Sequence, residues 1–244
     1  TTALQVLFLL LAGVAYLAVH RRIYGSWTVY ATGDHFVDSE WTVVGRSPDY
    51  AGRTRRLLGL LVDKRFGIAA WAPVYLALPL VLAKTVRRRA QGWQVMVTLC
   101  AVCWATATWI ALTMHGWWWP GRQVVPILPL VVVLIAVAVD HHRRGIQAVV
   151  LASLLGTFSW LWLVVESSTG RHTLIVDFER TTNPWYRVWQ VLLPDHQVMS
   201  VTDHVLTAAW AAVVILGCWW VWKLPSPTSD HQSATKIEAS DSRH

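Results

Sequence analysis

This sequence is poor in charge. Of its 244 residues only 14% are Asp, Glu, Lys or Arg, and 55% are hydrophobic. Stretches of 16 to 22 residues without a charge recur along it. Length alone would allow one or two soluble domains, but uncharged runs of that size argue for membrane spans. Acid is scarcer than base, 14 residues against 21, for a net charge of +7. The surplus is no case for nucleic acid, because the arginines lie between apolar runs, where a membrane protein keeps its loop charges. Cysteine is rare: Cys100, Cys103 and Cys218, all inside apolar runs. Cys100-Ala-Val-Cys103 has redox or zinc spacing, but its neighbours offer no polar support for a thiolate or a metal. Small residues at a helix contact are the better reading. There is no repeat at a fixed period. Nor is there a basic n-region or a small-residue cleavage site around the first apolar run. The chain begins at Thr1, so that run reads as an internal span, and the expectation is the C-terminal part of a longer protein.

What is present in quantity is apolar helix-former and tryptophan, 17 of them. The runs are continuous rather than alternating, which favours helices over barrel strands. The expected fold is all-α, a polytopic transmembrane bundle with six spans at about 3–20, 67–85, 93–113, 124–140, 146–165 and 204–223. The tail over 224–244 is Ser-, Thr- and Asp-rich and reads as disordered and cytoplasmic. Arg87 to Arg89 fill one short loop, and Arg143 and Arg144 another on the same side by parity. The opposite short loop, 114–123, holds only Arg122. The positive-inside rule then places the arginine loops and the C-terminus in the cytoplasm of a bacterial plasma-membrane protein. The outer face receives 21–66, 114–123 and 166–203. Against this stand eight cations in loop 21–66: Arg21, Arg22, Arg46, Arg53, Arg55, Arg56, Lys64 and Arg65. An outer loop so basic calls for an anionic partner such as a lipid phosphate.

Three outer stretches could carry chemistry. In NPWYRVWQVLLP (183–194), Asn183 can cap a short helix with Pro184 at its first position. Trp185, Val188, Trp189 and Leu192 would then share a face against the membrane surface. In loop 21–66, Asp34-His35 could bind a divalent metal or move a proton, with a solvated polar turn as the commoner alternative. Asp195-His196 and Asp203-His204 lie on the same side and could complete such a site. No metal is assigned. In LLGLLVDKRFGIAAWAPVY (57–75), LLGLL is too short to cross and should lie at or dip into the interface. It delivers Asp63, Lys64 and Arg65 to the outer end of a span, where charges mark function unless they pair internally, Asp63 with Lys64 or Arg65.

The pattern GLLVDKRFGIAAWAPVY, followed two spans later by GWWWPGRQVVPILPL, resembles the C-terminal half of multi-spanning GT-C glycosyltransferases. The likeness is greatest to actinobacterial relatives of the polyprenyl-phosphate-sugar-dependent and protein mannosyltransferases. Gly59, Leu60, Leu61, Gly67, Ile68 and Pro73 match a G-L-L-x-x-x-x-G-L-x-x-x-x-P-like segment. Trp117 or Trp118, Arg122, Pro126 and Pro129 match a W-x-x-x-x-x-R-x-x-x-P-x-x-P-like one. NPWYRVWQVLLPDH is similar to a loop of the actinobacterial members. The resemblance implies a lipid-linked sugar donor and transfer on the extracytoplasmic side. It also implies a catalytic base in a first outer loop, a role that no residue here inherits. On this reading Arg122 and Arg65 contact the donor's phosphate, Asp63 orients one of them, and Trp118 lies where lipid chain meets headgroup, with Asp34 and His35 as further substrate-side candidates. The alternative readings are structural: an interfacial tryptophan belt, Arg122 snorkelling to lipid phosphates, and a transporter, flippase subunit or scaffold in place of an enzyme. Membrane lipids and a lipid-linked donor are the expected partners.

Overall fold

The computed structural model describes residues 2–24, 50–89, 91–111, 121–139, 143–171 and 180–224. Asp34, His35, Trp117 to Trp119 and the tail from Pro225 onward fall outside them, so the expectations for those residues do too. Among the described residues every regular element is helical.

Among the described residues three helices are long and apolar enough to cross a bilayer. They are α6 (Trp93–Ala105) with its π-helical continuation Thr106–Ile110, α8 (Arg143–Ser168) and α10 (Val201–Lys223). They cover the third, fifth and sixth expected spans. Helix α1 (Thr2–Tyr24) runs over the first expected span but is not one of these three.

The second expected span is not a continuous rod, and proline is the reason; the fourth is a shorter apolar helix, Val125–Val139, among the described residues. Over 67–85 the chain forms α4 (Ile68–Trp71), breaks at Ala72, runs as a 3-10 turn over Pro73–Ala77, and resumes as α5 (Leu78–Arg88). Pro73 has no N–H to give and pushes Ala72 out of the helical region, to φ −133° and ψ 83°. Over 124–140 a 3-10 turn at Val125–Ile127 contains Pro126, and α7 (Leu128–Val139) follows with 12 residues. At 1.5 Å per residue α7 is about 18 Å long, well short of a hydrocarbon core of about 30 Å.

Helix α5 is the centre of the bundle and packs against α6, α7 and α10. Small residues make the close approaches. A Cβ on Gly217 of α10 would lie 2.7 Å from Leu80 Cδ2, and one on Gly156 of α8 3.2 Å from Ala72 Cα. Cys100 is buried, and Cys103 donates its thiol to Gln123 O at 3.7 Å; both are free thiols. They are helix-contact residues, and among the described residues no cluster of three His, Cys, Asp or Glu could hold a metal.

The segment containing LLGLL forms α2 (Tyr50–Arg53) and α3 (Arg56–Val62). It dips into the protein rather than resting on its surface: Leu60, Leu61 and Val62 belong to the main apolar core. Irregular backbone inside a membrane protein needs internal partners, and aromatic side chains supply many here. Indole N–H groups of Trp71, Trp104, Trp189 and Trp210 donate to the carbonyls of Arg65, Leu57, Ala69 and Leu192, and the Tyr186 hydroxyl to that of Lys64. Two of the basic residues do the same. Arg53 donates to Trp109 O, and Arg56 to Ala111 O at 2.8 Å. Both are buried cations seated at the carbonyl end of α6 and its π-turn, where the helix dipole favours positive charge.

Apolar side chains cover the outside of the molecule as well as its core, and several polar groups are buried. Asp63, Asn183 and His196 are 0% exposed, while Val201 is 82%, Val198 73% and Phe8 70% exposed. Long stripes of α6, α8 and α10 show bare Val, Leu, Ile and Trp. Such a surface is suited to lipid. The bundle has two distinct ends. At one, Lys84 donates to Ala138 O and Arg87 to Val221 O, gathering the last turns of α5, α7 and α10. At the other lie α2 to α4, the Gly121 corner and the segment 180–200.

Candidate functional site

The turn between α3 and α4 must reverse the chain within Asp63-Lys64-Arg65-Phe66-Gly67. Gly67 is required by space, since a Cβ there would sit 2.4 Å from Asp63 N and 2.6 Å from Asp63 O. Asp63 closes the turn with its side chain. Oδ1 accepts the backbone N–H groups of Arg65 at 2.9 Å and Phe66 at 2.7 Å. Oδ2 accepts the backbone N–H of His196 at 2.9 Å. The His196 imidazole Nδ1 lies 3.3 Å from the same oxygen, an ion-pair distance without the alignment of a hydrogen bond. Lys64 N–H donates to Pro194 O at 2.9 Å, a second tie between the same strips of chain.

The two cations that follow Asp63 both reach Asp195. Lys64 Nζ is 2.8 Å and Arg65 Nη2 3.3 Å from Asp195 Oδ2, and Arg65 Nη1 also reaches Gln197 Oε1 at 3.4 Å. Asp195 is fixed from behind: its Oδ1 accepts from Gln197 N and Val198 N, and its own N–H donates to Asp203 Oδ1. Asp203 belongs to the capping box that starts α10 with Ser200. The Lys64 and Arg65 side chains keep about a third of their surface exposed, at 32% and 33%.

Arg122 stands on an adjoining corner. Gly121 has φ +77°, and a Cβ on it would meet Ile68 Cγ2 at 2.4 Å, so the corner is pressed onto the first residue of α4. Arg122 itself is exposed at the protein surface. Desolvation by the surrounding chain lowers its pKa from the ordinary arginine value, which still leaves it a cation at working pH.

Helix α9 (Pro184–Trp189) forms as its sequence predicts. Asn183 Oδ1 accepts from Trp185 N at 2.9 Å and Tyr186 N at 3.2 Å, with Pro184 in the first turn. Its inner face is Tyr186, stacked on Trp71 at 4.2 Å between ring centroids. Its outer face is apolar and bare, with Val188, Val191 and Leu192 each more than half exposed. Trp189 is held inward by Ala69 O rather than lying with that outer face.

A third polar group lies where α8 ends. Glu166 is buried, and its carboxylate accepts from Thr181 Oγ1 at 2.5 Å, Thr182 N at 2.9 Å and the Thr182 hydroxyl. It fixes the start of the segment that continues into α9.

Of the residues marked from sequence, then, Asp63 and Arg65 fall in one cluster, Arg122 flanks it, and Trp118, Asp34 and His35 are outside the described residues. Of the two further Asp-His pairs, Asp195 and His196 join Asp63, while Asp203 acts as a cap and His204 is exposed. Sequence reasoning passed over Asp195 as the partner of Lys64 and Arg65, and Glu166 altogether. The signal for Glu166 was there, as the only acid in the run from Arg143 to Arg171. Among the described cations of loop 21–66, Arg53 and Arg56 sit on carbonyls and Lys64 and Arg65 on Asp195. No protein-family model, no curated protein and no solved structure matches this chain.

Proposed function

We propose that this chain belongs to an integral-membrane glycosyltransferase that moves a sugar from a polyprenyl-phosphate donor to an acceptor on the extracytoplasmic face. The observation that carries the reading is the Asp63 turn: a buried carboxylate locks the turn to the 194–196 strip and leaves Lys64 and Arg65 about a third exposed, beside the Gly121 corner that precedes Arg122. Departure of a lipid phosphate needs fixed cations, and groups set in place by a rigid frame avoid reorganisation in the transition state. Arg122 supplies a planar guanidinium suited to bidentate phosphate contact. Lys64 and Arg65 meet at one carboxylate, Asp195, and each keeps about a third of its side chain open at the rim. Asp63 acts as a positioning residue through the turn backbone. The bare apolar face of α9 gives the donor's lipid chain a boundary to lie against. No catalytic base is assigned to this chain.

A second reading, a transporter or flippase subunit, draws on the broken helix over 68–88, since interrupted helices line transport pathways. One experiment separates the two. In the protein containing this chain, Arg122→Ala should lower sugar transfer from a polyprenyl-phosphate donor about 100-fold, with membrane insertion unchanged. Wild-type transfer by this variant would remove the proposal for Arg122. Donor translocation without any transfer by the wild-type protein would favour the transporter.

A further inference from the structure

A cleft of about 390 Å³ opens on the side of α8, away from the Asp63 turn. Its walls are Phe158, Leu161, Trp162 and Val165, with Glu166, Thr169 and Arg171 at the end where the helix stops. The walls lie on the lipid-facing side of α8: Leu161 and Val165 are 51% and 60% exposed. The two groups at the closed end differ in kind. Glu166 is buried, and its oxygens are occupied by Thr181 and Thr182. Arg171 is exposed just past the left-handed Gly170, and its backbone N–H is anchored on Glu166 O at 3.1 Å. That backbone bond sets where the guanidinium starts, at the lip of an apolar slot.

From this we infer that the cleft is a binding site for one anionic glycerophospholipid, with an acyl chain along Phe158, Leu161 and Val165 and the headgroup phosphate on Arg171. Charge complementarity selects the occupant. The slot alone would accept any hydrocarbon chain, but a guanidinium at its polar end favours a lipid of net negative charge over a zwitterionic one. Trp162 suits the boundary between chain and headgroup, and its indole N–H is turned to Thr182 Oγ1 at 3.4 Å. The role is anchorage of the outer end of α8 and of the 180–183 strip that Glu166 holds. It does not depend on sugar transfer.

The test is native mass spectrometry of the full protein released from detergent, titrated with phosphatidylglycerol and, separately, with phosphatidylcholine. One phosphatidylglycerol should bind in preference to phosphatidylcholine. Arg171→Ala should weaken that adduct about tenfold, and Arg171→Lys should restore most of it. Leu161→Trp, which fills the slot from an exposed position, should remove the adduct while circular dichroism stays helical. Equal binding of the two lipids, or an adduct of full strength in Arg171→Ala, would overturn the inference. Loss in Arg171→Ala but retention in Leu161→Trp would reduce it to a headgroup contact without the cleft, and so overturn it as stated.

Discussion

Asp63 has no exposed surface, yet three backbone N–H groups and an imidazole converge on its carboxylate. A buried charge is tolerated only when such donors replace water. Removing the acceptor would strand three buried donors, each costing about 1–3 kcal/mol. We therefore expect Asp63→Ala to destabilise the protein by about 3–5 kcal/mol, read as a clear fall in the thermal unfolding midpoint in detergent. Asp63→Asn keeps one oxygen acceptor and should lie between the two. If Asp63→Ala unfolds at the wild-type temperature, the turn is not held as described. Tryptophan has an unexpected part at this scale. Four indoles hydrogen-bond to main-chain carbonyls of other segments or turns.

At the level of elements, breaks in helices matter as much as helices. Pro73 stops one expected span from being a rod, and Ala69 O, which cannot receive an N–H from Pro73, accepts from Trp189 beyond α3 and α4. Helix α9 has six residues, so its stability depends on its cap and on packing rather than on propagation. Asn183→Ala removes an acceptor for two N–H groups and should cost about 1 kcal/mol. Hydrogen exchange at Trp185 and Tyr186 should then rise well above that in α10. Unchanged protection would mean that the Trp71–Tyr186 stack holds α9 without the cap.

For the whole molecule the question is which end of the bundle faces which compartment. Helix α8, with 26 residues, spans about 39 Å and separates the two ends. One end carries Arg87, Arg88, Arg143, Arg144 and Lys223; the other carries the Asp63 cluster. If the positive-inside rule decides orientation, a cysteine at Ser168 in a cysteine-free background should react with an impermeant thiol reagent added outside intact cells, and one at Gln91 should not. Reversed labelling would place the cluster in the cytoplasm and remove extracytoplasmic transfer with it.

Much of this could be read from the chain. Long uncharged runs give α6, α8 and α10, because a backbone without water as a partner must bond to itself. Asn183-Pro184 gives the start of α9, because capping is a local matter of one side chain and the next turn. Pro73 was visible too, though not how completely it would divide its span. Sequence also marked Asp63, Lys64 and Arg65 as charges placed at depth. It could not pair them. The pairing of both cations with Asp195 joins residues some 130 positions apart, and it depends on Pro194 O and the His196 N–H docking on the α3–α4 turn. Local spacing fixes helices and caps. Which buried charge meets which depends on how discontinuous helices pack, and that is a property of the folded bundle.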